Sequence, residues 1–362
     1  MSNILLFTPD LSYSGHSKEV LHCWQQCQER ELSVEVVTLR QTGPVVDILQ
    51  SQGMSITNLG WRHGLNVGAL VRLHQMVKQS RPQQIHIWGH SCLRTVFTAC
   101  GKKPCPMVVW NPQVTKAKSA SWLDWLDVRL LKQADQLVLT NEVQRQYFTG
   151  LGFQPEQTAL TPPMPHLIEQ FSDLPEKKPI SVPTGRFIIC VGPVTWDKCF
   201  LNAIWAFDVF WRVYPDFRLV ILGSGDNLTR VRQFSKTLPC QVNVDFIEHQ
   251  PNLSAWYERA NMVWLPALSD SGRHVCSEAM SLGLPVIASD IPPYNEIIQP
   301  DTNGFLVPLG KQVGFAKAGH KVLDNPELAY SIRRAARSSV RKATDWDMLL
   351  PMTRIQATAA AA

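Results

Sequence analysis

The sequence lacks the long apolar run that marks a membrane-spanning protein. No uninterrupted apolar stretch in its 362 residues reaches the ~18 residues that a spanning helix needs. The segment Met1 to Pro9 has neither a basic region nor a small-residue cleavage site, so no signal peptide is predicted. We therefore expect a cytoplasmic protein, attached at most peripherally to the inner face of the membrane.

Paired cysteines are lacking as well. The chain has 9 cysteines, an odd number, and their spacings, such as Cys23/Cys27 and Cys100/Cys105, include no C-x-x-C pair. This pattern argues against a disulfide framework and a zinc ribbon, and it suggests a reducing compartment.

A strong excess of one sign of charge is also lacking. Against 35 Lys+Arg there are 30 Asp+Glu, and the net charge of +5 is dispersed along the chain. That balance is too weak to indicate nucleic acid, although it could favour an anionic ligand. A basic run near the end of the chain predicts a solvated helix face, and docking to a membrane surface stays open as the alternative. Its members are Arg333, Arg334, Arg337, Arg341 and Lys342.

What the chain does contain is typical of an α/β protein with two domains. Hydrophobic residues make up 45% and charged residues 18%, and the length suits two cores. Short apolar runs alternate with amphipathic stretches, a pattern that predicts parallel strands joined by crossover helices. The twelve predicted strands are Asn3–Phe7, Val34–Leu39, Ile56–Leu59, Gln84–Trp88, Pro106–Trp110, Gln136–Thr140, Phe187–Val191, Leu219–Leu222, Val242–Ile247, Met262–Leu265, Pro285–Ala288 and Phe305–Val307.

The segment 171–184 is rich in proline and charge and predicts a linker. It separates a first Rossmann-like domain, 1–170, from a second, 185–344, and the last segment, 345–362, could fold back onto the first domain. Two doubly wound sheets of this kind bind ligands beyond the carboxyl ends of their strands, so we expect the function to lie in a cleft between the domains.

The most informative stretch follows the predicted strand Met262–Leu265. Asp270 precedes a predicted helix that begins near residues 271–275, and Glu278 lies two turns further along. The free amides and positive end of a helix form a natural seat for a diphosphate, while a carboxylate can accept hydrogen bonds from sugar hydroxyls. The alternative is that Asp270 only caps the helix and that Glu278 is solvated.

In order and spacing, this half of the chain resembles the C-terminal domain of glycosyltransferase family four, the retaining nucleotide-sugar transferases of the GT-B fold. The first half resembles the family's N-terminal domain more loosely. The matching stretches are FIICVGPVTWDK, YPDFRLVILGSGD, NLSAWYERANMVWLPAL, DSGRHVCSEAMSLGLPVIASDIPPYNEII and NGFLVP, together with SYSGHSKEV and ADQLVLTNEVQRQYFTGLGFQPEQTALTP.

The resemblance implies specific roles in the second half, with departures. Family members use two glutamates eight residues apart for the donor; here the first is Asp270, beside the sugar, and the second is Glu278, at the ribose. The diphosphate-binding lysine matches Lys198. The accompanying arginine is replaced by Pro193, and the glycine after the lysine by Cys199.

A cation elsewhere could replace the missing arginine. Arg273 and His274 occupy the turn that faces the phosphates, so we expect Arg273 to join Lys198 and Asp270 in catalysis; the alternative is that Arg273 points into solvent. The resemblance also implies donor contacts from the glycines and the histidine that border the site. They are Gly15, Gly192, Gly223, His249 and Gly272.

On the acceptor side the family carries a histidine after the strand that matches Met107–Trp110, and here Asn111 follows instead. His86 and His90, one strand earlier, could line the acceptor site, or they could be structural. Asn111 can donate hydrogen bonds to a sugar but cannot shuttle protons.

The predicted function is transfer of a sugar from a nucleotide sugar to a glycan or lipid-linked acceptor, without a bound metal or other cofactor. The motif Asp345-Trp346-Asp347 lies outside any strand-end metal context and is interpreted as a helix start. Two alternatives stay open: a degenerate relative that binds a nucleotide or sugar or acts as a partner subunit, suggested by Pro193, Asp270 and the missing histidine, and a related epimerase or phosphorylase.

Overall fold

The computed structural model describes residues 3–12, 15–40, 46, 49–50, 53–61, 66–112, 122–161, 182–248, 253–268 and 272–342. The chain divides into two units, Met1–Thr161 and Pro162–Ala362. Most of the predicted linker, residues 171–181, lies outside the described residues, and so does the predicted segment 345–362.

The first unit is built on a parallel sheet of seven strands in the order β3-β2-β1-β4-β5-β6-β7. The strands are β1 (Asn3–Thr8), β2 (Ser33–Thr38), β3 (Ile56–Asn58), β4 (Gln84–Trp88), β5 (Met107–Trp110), β6 (Gln136–Leu139) and β7 (Thr158–Leu160). The crossover helices among the described residues are α1 (Gly15–Glu29), α2 (Val67–Ser80), α3 (His90–Cys100), α4 (Trp122–Leu131) and α5 (Glu142–Gly150).

The second unit repeats this architecture with six parallel strands in the order β10-β9-β8-β11-β12-β13. They are β8 (Phe187–Val191), β9 (Arg218–Leu222), β10 (Val244–Ile247), β11 (Met262–Leu265), β12 (Val286–Ser289) and β13 (Phe305–Val307). The described helices are α6 (Phe200–Trp211), α7 (Leu228–Ser235), α8 (Ser254–Arg259), α9 (Arg273–Ser281), α10 (Tyr294–Ile297), α11 (Val313–Asp324) and α12 (Pro326–Lys342).

Alternate side chains of the central strands fill two separate cores in the second unit. Ile188 and Cys190 point into the cluster beneath α6 and α11, whereas Ile189 and Val191 point into the cluster beneath α8 and α9. Strands that are buried on both faces need apolar residues at every position, which is why β8 is the unbroken run FIICV.

The predicted fold class is confirmed: each unit is an α/β domain with a wholly parallel sheet. Of the thirteen strands in the described part of the chain, twelve were predicted, with ends that shift by at most two residues, and the short edge strand β7 was missed. All nine cysteines lie within the described residues and are free thiols. No helix in the described part of the chain is both long and apolar enough to traverse a bilayer.

Candidate functional site

The strand order of the second unit reverses between β8 and β11. From β8 the chain first builds outward through β9 and β10, and then returns to the other side of β8 to form β11, β12 and β13. The loops that leave the carboxyl ends of β8 and β11 diverge at this point and leave a crevice, which is where open parallel sheets bind ligands. The sequence-predicted donor residues fall on these two loops and on the helix that follows the second.

Lys198 ends a single 3₁₀ turn, Trp196–Lys198, directly after the β8 loop. Its side chain is 3% exposed and folds back over the backbone at Gly192, where a Cβ would lie 3.6 Å from Nζ. The ammonium is therefore held at the carboxyl end of β8, in a setting with little water to screen its charge.

A hydrogen bond joins this turn to the loop after β11. The Leu268 amide donates to the carbonyl oxygen of Asp197 at 2.7 Å. The Thr195 hydroxyl donates to the Asp197 carboxylate at 2.6 Å, which fixes the turn from within. As a result, the Lys198 turn lies beside the segment that leads into α9.

The loop after β9 packs backbone to backbone against the loop after β8. The Val194 amide donates to the carbonyl of Ser224 at 2.9 Å, and a Cβ at Gly223 would collide with the carbonyl oxygen of Gly192. Gly223 has φ +155°, and only a residue without a side chain permits this approach. The two predicted glycines thus form one wall of the crevice.

The helix α9 begins at the same edge of the sheet. Its N-cap is Gly272, which has no side chain to occupy the first-turn amides, and a Cβ there would overlap the Tyr294 hydroxyl. Arg273, the first helical residue, is 4% exposed, so the alternative that it points into solvent is wrong. His274, next to it, is half-buried. A positive helix end and a buried guanidinium together attract an anion.

Glu278 lies on the buried face of α9 and has no exposed surface. The hydroxyl of Tyr257, on α8, donates to its Oε2 at 3.3 Å. Burial, and secondarily the negative charge of Glu278, raise the pKa of Tyr257 well above its ordinary value. The predicted alternative of a solvated Glu278 is therefore wrong.

In the first unit His86 lies in the interior of the sheet. It is 2% exposed, in the middle of β4, and Trp110 donates from Nε1 to its Nδ1 at 2.9 Å. Burial lowers the pKa of His86 to about 4. This placement favours the structural interpretation of His86 over a role at an acceptor.

The other acceptor-side candidates lie at the carboxyl edge of the first sheet. His90 begins α3, and its Nδ1 lies 3.2 Å from Oδ2 of Asp127. The same carboxylate also binds Arg94. Asn111 follows β5 with φ +44° and accepts a 3.5 Å hydrogen bond from Gln144. Gly15 is the first residue of α1.

Asp270 and His249 lie outside the described residues. The sequence did not mark Tyr257 or Tyr294, which both pack beneath α9 in the same apolar cluster. An aromatic residue at helical spacing in an apolar stretch predicts only core, so no sequence signal separates Tyr257 from its neighbours.

Two family models match the chain, one on each unit. Residues 172–339 match the model described as Glycosyl transferases group 1, and residues 14–164 match the one described as Glycosyl transferase 4-like domain.

The chain also resembles individual proteins in sequence and in structure. An uncharacterized glycosyltransferase of Haemophilus influenzae is 29% identical over 145 residues, which is 40% of this chain and 41% of the relative. The N-acetyl-alpha-D-glucosaminyl L-malate synthase of Bacillus anthracis is 28% identical over 125 residues, 34% of this chain and 33% of the synthase. The matches thus span less than half the length of these relatives. HepE of Anabaena, crystallised with UDP-glucose, shares the fold with a TM-score of 0.81, 15% identity and coverage of 100% of both chains.

Proposed function

The chain belongs to the family-four type of glycosyltransferase with the GT-B fold, and we propose that it transfers a sugar from a nucleotide sugar to an acceptor hydroxyl with retention of configuration. One observation supports the proposal: the Lys198 turn is hydrogen-bonded to the loop after β11, the strand that precedes α9, at the point of the second sheet where the strand order reverses. Open parallel sheets generally bind their ligands at this point.

The diphosphate of the donor would occupy this crevice. Its negative charge grows as the bond to the sugar breaks, and a fixed ammonium, a guanidinium and helix amides at that position stabilise the transition state more than the ground state. We propose that Lys198 and Arg273 supply the positive charge, with Arg273 in place of the arginine that Pro193 replaces, and that no metal is needed.

The nucleoside would extend along α9. A ribose carries two hydroxyl donors, and a carboxylate accepts hydrogen bonds. The Glu278 carboxylate lies on the buried face of this helix, shielded from bulk water. Asp270, which precedes the helix, would lie beside the sugar. The crystallised complex of HepE with UDP-glucose supports uridine nucleotides as the first donors to test.

In the transfer step the bond from the sugar C1 to the phosphate oxygen breaks, and the electron pair leaves with the diphosphate. The acceptor oxygen bonds to C1 on the same face, and its proton passes to the leaving diphosphate. We assign the acceptor, a glycan or a lipid-linked sugar, to the first unit.

The test is titration of the protein with UDP-, GDP- and ADP-sugars, followed by assay of donor turnover. We expect one donor class to bind, and Lys198→Ala or Arg273→Ala to lower turnover by about a hundredfold or more. Lys236→Ala, which removes an exposed cation at the end of α7, is the matched control and should leave turnover unchanged. If no donor binds, the proposal is wrong.

A second function is favoured by one residue. Pro193 removes a cationic side chain and an amide donor from the β8 loop, and that loss suits a protein that binds a nucleotide sugar without transferring it. Binding of a donor without turnover, in the presence of a panel of acceptors, would select this second function over the first.

A further inference from the structure

Tyr294 packs against the start of α9 from inside the second unit. It is the first residue of α10, it has no exposed surface, and it belongs with α9 to the apolar cluster on one face of the sheet. A Cβ at Gly272, the N-cap of α9, would overlap its hydroxyl oxygen. The Tyr294 hydroxyl thus occupies the space that an N-cap side chain would fill.

The backbone at this position does not itself require a glycine. Gly272 has φ −124° and ψ 8°, a conformation that other residues also adopt. The atom that excludes a side chain is therefore the Tyr294 hydroxyl. After the hydroxyl, the nearest atom to such a Cβ is Cζ of the ring, at 3.1 Å, a contact that a small shift relieves. Gly272 and Tyr294 are a matched pair.

The loop after β12 holds Tyr294 in place. The Asp290 amide donates to the carbonyl of Val307 at 2.8 Å, and the Asn295 side chain donates to the Asp290 carboxylate at 3.0 Å. The Ile298 amide closes the short helix by donating to the Tyr294 carbonyl at 2.7 Å. Tyr294 therefore connects the carboxyl ends of β12 and β13 to the start of α9.

We propose that Tyr294 is a positioning residue for the donor diphosphate: its hydroxyl sets the position of Gly272 and, through it, of the first-turn amides of α9. The inference rests on the proposed function, because it requires a phosphate at this turn. Tyr294 is enclosed and acts without touching the ligand, whereas His274 and Val275, on the turn itself, are partly exposed. Amides that are held in place beforehand lose less freedom when the ligand binds.

A merely structural role predicts something different. If Tyr294 only fills the core, any change that destabilises α9 to the same degree weakens binding to the same degree. Positioning predicts instead that binding depends on the fit between the hydroxyl and the N-cap. A clash introduced at Gly272 is then relieved by removing the hydroxyl of Tyr294.

The experiment is a double-variant cycle read by calorimetric titration with UDP, GDP and ADP, of which the tightest binder is carried forward. We expect Gly272→Ala to raise the Kd about tenfold or more, because the methyl group displaces the first turn. Tyr294→Phe alone should raise it about threefold, since the turn loses a contact. The double variant should bind within about twofold of the wild type, because the methyl group takes the space that the hydroxyl leaves.

Gly283→Ala is the matched control, just beyond the other end of α9. Gly283 has φ +71°, and a Cβ there would overlap Nε of Arg337. This change should lower the urea midpoint and leave the Kd unchanged. Phosphorus NMR of the bound diphosphate gives a second readout. Its shifts should move in Gly272→Ala, return in the double variant and stay at the wild-type values in Gly283→Ala.

The outcomes separate the two levels of the argument. If no nucleoside diphosphate binds the wild type, the proposed function is wrong and the inference falls with it. If one binds, but Gly272→Ala leaves the Kd unchanged or Gly283→Ala weakens binding as much, the positioning role is wrong while the proposed function stands. Should Gly272→Ala fail to fold, the double variant decides: binding weaker than that of Tyr294→Phe overturns the inference, and equal or tighter binding supports it.

Discussion

At the residue scale, buried polar groups divide into those at the carboxyl edge of a sheet and those inside it. Lys198 and Glu278 are both almost fully buried, yet each lies on a segment that leaves or borders the reversal point of the second sheet. His86 is equally buried, but it lies in mid-strand beneath the stacked rings of Trp88 and Trp110, whose centroids are 5.2 Å apart. Burial alone therefore does not distinguish the candidate site residues from core residues; their position relative to the carboxyl edge of the sheet does.

The pKa of His86 leads to a prediction about stability. It falls from 6.5 to about 4 because burial disfavours the charged ring. The unfolded chain therefore binds more protons than the folded chain between these values, and stability is lost as the pH falls through that window. His86→Asn keeps an acceptor for Trp110 but cannot titrate. Between about pH 7 and 5, the wild type should lose about 2 kcal/mol more than this variant, as measured by urea unfolding.

Wild-type and variant curves that run parallel over this pH range would show that His86 is not buried in its neutral form. The other histidines are common to both proteins, so the difference between the two curves reports on His86 alone.

At the scale of elements, the candidate site depends on how closely two loops approach. The β8 and β9 loops pack backbone to backbone, and this contact leaves no room for a Cβ at Gly223. Gly223→Ala should cost about 3 kcal/mol or more, because it combines a strained backbone with a steric clash, and it should also displace the wall beside Lys198. Thermal unfolding and nucleotide titration of the same variant measure the two effects.

The control for Gly223→Ala is Gly310→Ala. Gly310 also has a positive φ, of +78°, but a Cβ there would meet no described atom within 4 Å. This change should cost only about 1 kcal/mol, from backbone strain, and leave nucleotide binding intact. Equal costs for the two variants would mean that the approach of the two loops is unimportant.

The sequence predicted strands and loops well and predicted contacts across the chain poorly. Runs such as FIICV mark a buried parallel strand because both faces require apolar residues, so β8 and β11 were placed to the residue. The three residues of β7, at the sheet edge, carry no such pattern. Lys198 and Glu278 could be found because they follow predicted strands at family spacing. The contact of Tyr257 with Glu278 could not, because it joins α8 to α9, two separate stretches of chain that meet only after folding.

At the scale of the whole molecule, the chain consists of two units with separate cores. The two clusters described in the second unit contain only residues from that unit, and the cluster described in the first unit contains only residues of the first. The sequence predicted two domains, but the domain boundary at residue 170 stays a prediction, because residues 162–181 lie outside the described part. The composition of this segment indicates a linker, but without a helix or strand pattern it does not fix the residue at which the first domain ends.

Separate cores allow the donor-binding unit to be located by hydrogen exchange. A ligand present at about a hundred times its Kd stabilises the state that binds it by about 2.7 kcal/mol, which slows exchange through full opening about a hundredfold. We expect the diphosphate that binds best to slow exchange in β8 and β11 and to leave β1 and β4 unchanged. The measurement is mass spectrometry of peptides from these four strands, with and without nucleotide.

Lys198→Ala at the same nucleotide concentration is the internal reference, because weaker binding should return β8 and β11 toward their unliganded rates. Slowing confined to the first unit would place the nucleotide on the wrong half of the chain and would remove the basis for assigning Lys198, Arg273 and Glu278 to the donor. Equal slowing in both units would mean that they open together, since a ligand protects every segment that unfolds with its site.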